Sequence, residues 1–362
     1  MDLAENEQGS SEVDLSNRSC VKCHVPAQFP GVDPKKAAYC QECFIHMVRN
    51  KFRSALSKKK IFRDVDSRQT LVLYDGTQSS AFLLHQVNDA LRQISFKRLM
   101  IEPTILVMVT VSDPESLEKV RTHVDYLKSV LPDSVKWTMA HLAYGLFSVE
   151  VPDSNILGIE KIDELVSITS SFKSASSEEE FKRLLKELCI YKVGQKLGID
   201  KVLLSDDADD LGVQVLSQFS LGRGSCVSSL TAITSKRNKF TFIRPLRDIS
   251  KYEVGIVNNL CSYQSAALGL KFEMYTQNSL QKLTSTFVEI LKSEGFKSTT
   301  NTIMSTASKI HGPDEGSINK CPMCCLKSKD ENSAICSVCL VLLESNPFSE
   351  KIVNLFSFVD FS

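Results

Sequence analysis

Eight cysteines in two sets are the residues of this sequence best placed to do chemistry. Near the N-terminus, Cys20-x-x-Cys23 and Cys40-x-x-Cys43 are separated by sixteen residues. Near the C-terminus, Cys321-x-x-Cys324 and Cys336-x-x-Cys339 are separated by eleven, with Cys325 adjacent. Each pair can point two thiolates at one ion, and two pairs complete a closed tetrahedral site. Such a site leaves no position for water, so the expected metal is structural zinc, holding segments too small to bury a core. A redox dithiol needs only one pair, normally after a strand, so four pairs argue against it. An iron–sulfur cluster is the remaining alternative, because thiolates suit both metals. His24 and His46 read as neighbours of the first set rather than as ligands.

Two turns carry further candidates. The apolar residues 71–74 read as a buried strand that runs into Asp75-Gly76-Thr77-Gln78-Ser79-Ser80, and an apolar helix start follows at Ala81. Strand, small polar turn and helix is how an α/β protein presents N–H groups to a phosphate. Against that use stand the single glycine and the Asp75 carboxylate. The second turn is Ser205-Asp206-Asp207-Ala208-Asp209-Asp210. An acidic residue there can hold magnesium or a ribose hydroxyl, but the preferred reading is a capped helix N-terminus that complements the dipole. Between the first cysteines and the first turn lie Arg49, Lys51, Arg53, Lys58, Lys59, Lys60 and Arg63, with no acidic residue among them. That run is either a solvated helix face or a nucleic-acid contact.

The elements around these residues alternate. A helix is expected through residue 91, a strand at 104–111, a helix at about 114–130, a strand near 135–140 and a short strand at 201–204. The serine-rich residues 167–177 read as a loop ending in two capping-box spacings, Ser176 with Glu179 and Ser177 with Glu180. The helix they open carries Phe181, Leu184, Leu185, Leu188 and Val193 on one face and ends near Gly198. Alternation of this kind predicts a parallel sheet with helices on both faces and ligands at the strand C-termini, where both turns lie. Cys189 reads as core, whereas Cys226 and Cys261 have no local partner. Residues 298–320, rich in Ser, Thr and Gly, read as a weakly structured linker, and the apolar tail from Leu355 to Phe361 must dock somewhere.

Composition sets the frame. The 362 residues carry 43 basic and 43 acidic side chains, so nucleic-acid affinity has to come from a local patch. No run approaches the ~18 apolar residues of a membrane span, and the acidic start is unlike a signal peptide, so the expected location is the cytoplasm or the nucleus, with no membrane partner. Twelve cysteines in a reducing compartment favour metal ligation over disulfides.

A cysteine knuckle, a basic helix, a strand and a small-residue turn, in that order, resemble the PP-loop ATPases that activate tRNA uridines for thiolation. That family's loop reads SGGxDS, and its second signature reads GHNADD before an apolar helix. The corresponding residues here are the turn from Asp75 to Ser80 and the turn from Ser205 to Asp210, followed by Leu211, Val215 and Leu216. Arg244-Pro245-Leu246-Arg247-Asp248-Ile249 resembles the family's next landmark, an RPL strand leading into a helix. More specifically, the chain is similar to the family that supplies the second subunit of the cytoplasmic tRNA 2-thiolation complex. The opening cysteine module, a helix at 280–291 followed by Ser298-Thr299-Thr300-Asn301-Thr302, and Cys-Pro-x-Cys at Cys321 carry that likeness.

The resemblance implies a PP-loop α/β domain with zinc modules at both ends. It implies a heterodimer with a catalytic thiolase subunit, tRNA Lys, Glu and Gln as substrates at their wobble uridine (mcm5s2U), and sulfur from a ubiquitin-like thiocarboxylated carrier. Departures from the motif matter equally. Thr77 replaces the second glycine and crowds the phosphate. Asp75 replaces the leading serine, Ser79 the aspartate, and Asp206 the histidine of the second signature. Between Cys43 and Cys321 there is no Cys-x-x-Cys, so the family's paired central cysteines are missing. Asp75, Gly76, Thr77, Ser79, Ser80, Asp209 and Asp210 are therefore read as a degenerate nucleotide site that does not use ATP, with no catalytic residues assigned. The rivals are an active, divergent tRNA-adenylating sulfurtransferase and a zinc-dependent protein-interaction scaffold. The expected boundaries are a disordered acidic tail at 1–19, a zinc module with basic helix at 20–66, the α/β domain at 67–297, a linker at 298–320 and a C-terminal zinc module at 321–362.

Overall fold

The computed structural model describes residues 15, 17–31, 37–57, 61–62, 67–93, 99–147, 156–237, 239–268, 275–310, 320–326 and 333–357. The expected acidic tail falls almost wholly outside them, as do Lys58, Lys59, Lys60, Arg63 and Phe358 to Phe361. The short strands β1 (Phe29–Pro30) and β2 (Ala38–Tyr39) pair antiparallel between the first two cysteine pairs, and helix α1 (Gln41–Ser57) follows. Next come β3 (Gln69–Tyr74), α2 (Gln78–Leu91), β4 (Glu102–Val109), α3 (Pro114–Val130) and β5 (Lys136–His141). Helices α4 (Ile162–Ser170) and α5 (Ala175–Leu197) lead to β6 (Lys201–Leu203) and α6 (Ala208–Ser220). A short α7 (Val227–Thr231) precedes the hairpin of β7 (Thr234–Arg237) and β8 (Phe240–Ile243). The chain ends in α8 (Lys251–Leu260), α9 (Leu280–Ser293), α10 (Thr299–Ala307), α11 (Ser337–Glu344) and α12 (Ser349–Ser357).

The six-stranded sheet has the order β5-β4-β3-β6-β8-β7, parallel except for the β7–β8 pair. Successive strand residues face opposite sides. Val72, Tyr74, Ile105 and Val107 pack on one face with Phe44, Val48, Phe52 and Leu56 of α1. Leu71, Leu73, Leu106 and Met108 pack on the other with Cys189, Ile190 and Val193 of α5. Strand order reverses between β3 and β6, so the crevice where such sheets take ligands lies there. Both expected turns flank that crevice. No helix among the described residues is long and apolar enough to cross a membrane.

Several expectations shift on contact with the structure. The loop read at 167–177 shortens at both ends, because α4 continues to Ser170 and Ser174, not Ser176 or Ser177, caps α5 by accepting from Ser177 N. Ser176 and Glu179 instead accept backbone N–H groups of Leu280 and Thr276, at 2.9 and 2.8 Å. Gly198 closes α5 in the left-handed conformation, φ +68°, as its position suggested. The RPL stretch is not strand: β8 ends at Ile243 and turns carry Arg244 to Ile249 toward α8. Within the expected linker, α10 is a helix, because Met304 and Ala307 are buried against Leu211 and Val215 of α6. Leu355 and Phe356 dock in the C-terminal core with Phe181, Leu184 and Leu188 of α5.

Candidate metal centres and nucleotide loop

The four N-terminal sulfurs, of Cys20, Cys23, Cys40 and Cys43, lie within 4.8 Å of one another, as do those of Cys321, Cys324, Cys336 and Cys339. Cys23 stands 3.5 Å from Cys40 and 3.6 Å from Cys43; Cys324 stands 3.8 Å from Cys336. A metal–sulfur distance of about 2.3 Å places tetrahedral thiolates about 3.8 Å apart, so each set fits one ion. The thiolates of a four-iron cubane end on four different irons and need wider separation. His24, His46 and Cys325 are outside both sets.

The two centres differ in setting. Cys23 is exposed, whereas Cys321, Cys324 and Cys339 are buried and Cys336 is half-buried. At the buried centre Arg223 Nη2 donates to Cys339 Sγ at 3.1 Å. The same guanidinium, itself 4% exposed, pairs with Glu180 and donates to Gln218 Oε1 at 3.1 Å. Glu180 also pairs with Arg183 at 2.7 Å, Arg183 with Glu187 at 2.7 Å, and Glu187 with Arg237. Burial would raise the Glu180 carboxyl, but Arg183 and Arg223 outweigh it and hold the group at about 2. Glu180 enters the sequence reading only as the acid of a capping-box spacing with Ser177, and Arg223 does not enter it. Arg223 lies 43 and 116 positions from Glu180 and Cys339, so no local pattern marks these contacts.

The loop after β3 turns its donors on itself. Thr77 caps α2 by accepting from Ser80 N at 3.2 Å, and its hydroxyl donates to Asp75 Oδ1 at 2.7 Å. Thr77 N points to the same oxygen at 3.4 Å, and Lys186 of α5 pairs with the other at 3.4 Å. Burial would raise the Asp75 carboxyl, but Lys186 and the Thr77 hydroxyl hold it below the usual range. The carboxylate thus takes the place an incoming anion would need. Gly76 has φ +79°, and Leu268 lies over it, with its Cβ 2.9 Å from where a Gly76 Cβ would stand. Across the crevice Ser79 Oγ donates to Asp207 Oδ2 at 2.6 Å.

The acidic turn is equally occupied. Asp207 caps α6 by accepting from the N–H groups of Asp209 and Asp210, in a capping box with Asp210. Asp210 pairs with Lys251 at 2.7 Å. Asp209 pairs with Lys292 and accepts from Thr300 Oγ1 at 2.7 Å and Lys251 N at 2.9 Å. These carboxylates hold α8, α9 and α10 to the start of α6. In the basic run, Arg49 pairs with Asp89 at 3.2 Å and Lys51 with Glu253 at 2.6 Å, so both pin α1 to α2 and α8. Arg53 is half-buried on the same helix.

The family model described as "Cytoplasmic tRNA 2-thiolation protein 2" matches residues 279–354, from the cap of α9 into α12. A relative so described from Caenorhabditis elegans is 43% identical over 341 residues, covering 93% of this chain and 97% of the relative. Another from Caenorhabditis briggsae is 45% identical over 326 residues, covering 90% of this chain and 93% of the relative. The chain belongs to the cytoplasmic tRNA 2-thiolation protein 2 family. The fold is also similar to a solved structure, the U34-tRNA thiolase NcsA from Methanococcus maripaludis with its 4Fe-4S cluster. That likeness has a TM-score of 0.56 at 17% identity, over 80% of this chain and 87% of the other. A PP-loop thiolase fold thus underlies this family member, with a loop whose donors are already engaged.

Glu180 joins the buried centre to α5, so removing its charge leaves two arginines unmatched. Glu180→Gln is expected to cost about 3–5 kcal/mol of stability at neutral pH. Because its folded value is depressed, the Glu180 contribution is present above about 4.5 and is lost as pH falls toward about 2. Urea unfolding of wild type and variant across that window checks this: the difference between them should close in acid.

Proposed function

We propose that the chain is the non-catalytic subunit of the complex that 2-thiolates the wobble uridine (mcm5s2U) of tRNA Lys, Glu and Gln. In this reading it works beside a catalytic PP-loop thiolase subunit that receives sulfur from a ubiquitin-like thiocarboxylated carrier. The observation that supports it best is the Asp75 carboxylate, which accepts the loop's donors and pairs with Lys186. A nucleotide phosphate would have to displace that carboxylate and meet its repulsion. The isolated chain should therefore bind ATP weakly or not at all by calorimetry. Asp75→Ala should leave thiolation by the assembled complex within a few-fold of wild type. A hundredfold loss, equivalent to about 2.7 kcal/mol of transition-state stabilisation, would make the loop catalytic and sink this reading.

Each tetrathiolate set holds one structural zinc in this proposal. When bound, the ion cross-links two short segments that bury little core of their own. The N-terminal ion ties the β1–β2 ribbon to α1, and the C-terminal ion ties residues 321–326 to α11. Purified protein should contain about two zinc per chain, with thiolate-only coordination by X-ray absorption. Cys20→Ser with Cys23→Ser should remove about one of them. Iron in place of zinc, or folded protein free of metal, would contradict the assignment.

For tRNA, the proposal uses the distal part of the basic run. Arg49 and Lys51 are neutralised by Asp89 and Glu253, which leaves Arg53, Lys58, Lys59, Lys60 and Arg63 to track phosphates. Replacing Lys58, Lys59 and Lys60 with Glu should weaken tRNA binding by the heterodimer. It should also flatten the dependence of affinity on salt, because fewer counterions are released. Titrations at several salt concentrations check this, and an unchanged slope would place the tRNA contact elsewhere.

A further inference from the structure

The two cysteine sets share their local geometry. His24 N donates to the Cys20 carbonyl at 2.9 Å, and Cys325 N donates to the Cys321 carbonyl at 2.8 Å. His24 and Cys325, each just after the second cysteine of its pair, both take the left-handed conformation, at φ +63° and +56°. The return contact matches too, with Cys20 N donating to Val25 O at 2.7 Å and Cys321 N to Leu326 O at 3.0 Å. Ions held by the same ligands in the same turn differ in lability only through what surrounds the ligands.

What differs is Arg223. The turn that ends α6 delivers its side chain, with Arg223 N donating to Gln218 O at 2.8 Å. Nη2 stands 3.1 Å from Cys339 Sγ and 4.0 Å from Cys336 Sγ, the two ligands at the start of α11. Nη1 is held by Glu180 and by Gln218 Oε1, so two acceptors fix the cation in place. A thiolate gives up its ion when an electrophile takes a sulfur lone pair or a competing ligand reaches the metal. A guanidinium N–H on that sulfur occupies a lone pair and offsets its charge. Cys321, Cys324 and Cys339 are also closed to solvent. At the N-terminal set Cys23 is exposed and Cys43 half-buried, and a backbone group, Lys22 N, donates to Cys20 Sγ at 3.5 Å.

We infer that Arg223 is a positioning residue that locks the C-terminal ion in place, leaving the N-terminal set as the site where this protein exchanges metal. This rests on the reading that each set holds one zinc. The test uses the full chain as purified, with its zinc, and pyridylazoresorcinol in excess as the chelator. Release should be biphasic, with about half of the zinc leaving at least about tenfold faster than the rest. N-ethylmaleimide followed by peptide mapping should label Cys23 and Cys43 in the fast phase, and Cys336 and Cys339 only in the slow one. Arg223→Gln should speed the slow phase about tenfold and leave the fast phase unchanged. Arg223→Lys, which keeps the charge, should fall between. In cobalt-substituted protein, Arg223→Gln should also shift the thiolate-to-cobalt charge-transfer band, which a change in stability alone would not do. A single release phase in the wild type, or C-terminal cysteines labelled first, would overturn the inference whether or not the variants fold. An unchanged slow phase in Arg223→Gln that is folded by circular dichroism would remove Arg223 from it. Protein that carries no metal in either set would overturn the zinc reading itself, a different observation from a single phase.

Discussion

Four thiolates around one divalent ion would form a dianion, and the C-terminal set would have to hold that charge largely away from water. Burying a charge is tolerable only when it is paired and hydrogen-bonded. Arg223 meets the need with a donor 3.1 Å from Cys339 Sγ. A buried guanidinium then needs its own anion, which is Glu180, and Glu180 also holds Arg183. The sequence of pairs runs along α5 until Arg237 of β7 ends it. The N-terminal set has no such demand because Cys23 meets solvent. One ligand type thus produces two different surroundings, and the difference is burial alone.

The same helix reaches the crevice. Lys186, on α5, pairs with Asp75, so the element that neutralises the C-terminal centre also neutralises the loop. A working phosphate loop keeps its N–H groups and cations unmatched until the ligand arrives. Here the loop carries its own anion, and Ser79 is bonded across to Asp207. Preorganisation toward a ligand has been replaced by internal satisfaction.

How much of this was legible in the sequence depends on the range of the interaction. Both cysteine sets, the strands at β3 and β4, and the helix α3 follow from spacing and local chemistry. Boundaries moved where several residues competed for one role, as Ser174, Ser176 and Ser177 did at the start of α5. The helix α10 was hidden because its Thr-rich sequence has weak propensity, and burial of Met304 and Ala307 supplies what propensity lacks. Arg49 and Lys51 looked like part of a solvated or RNA-facing run, yet Asp89 and Glu253 turn them inward. Those acids lie 40 and 202 residues away along the chain, beyond any local pattern.

Helix α9 buries Gln281, Thr284 and Ser285 and exposes its apolar side, an inversion that follows from the acidic turn it sits on. Asp209 is nearly buried at the start of α6, where its carboxylate needs a cation and donors. Lys292 and Thr300 supply them, Lys292 from the polar side of α9 and Thr300 from the side of α10 that also buries Met304 and Ala307 against α6. With its Lys292 side committed inward, α9 cannot also bury Leu283, Phe287 and Ile290, which lie on the other side of the same helix. A helix in a normal α/β domain settles this conflict in favour of its apolar face. Here the buried carboxylate wins, because leaving a charge unpaired inside the protein costs more than leaving three apolar side chains in water. The exposed stripe is therefore a consequence of the acidic turn, whose buried carboxylate draws the polar side of α9 inward.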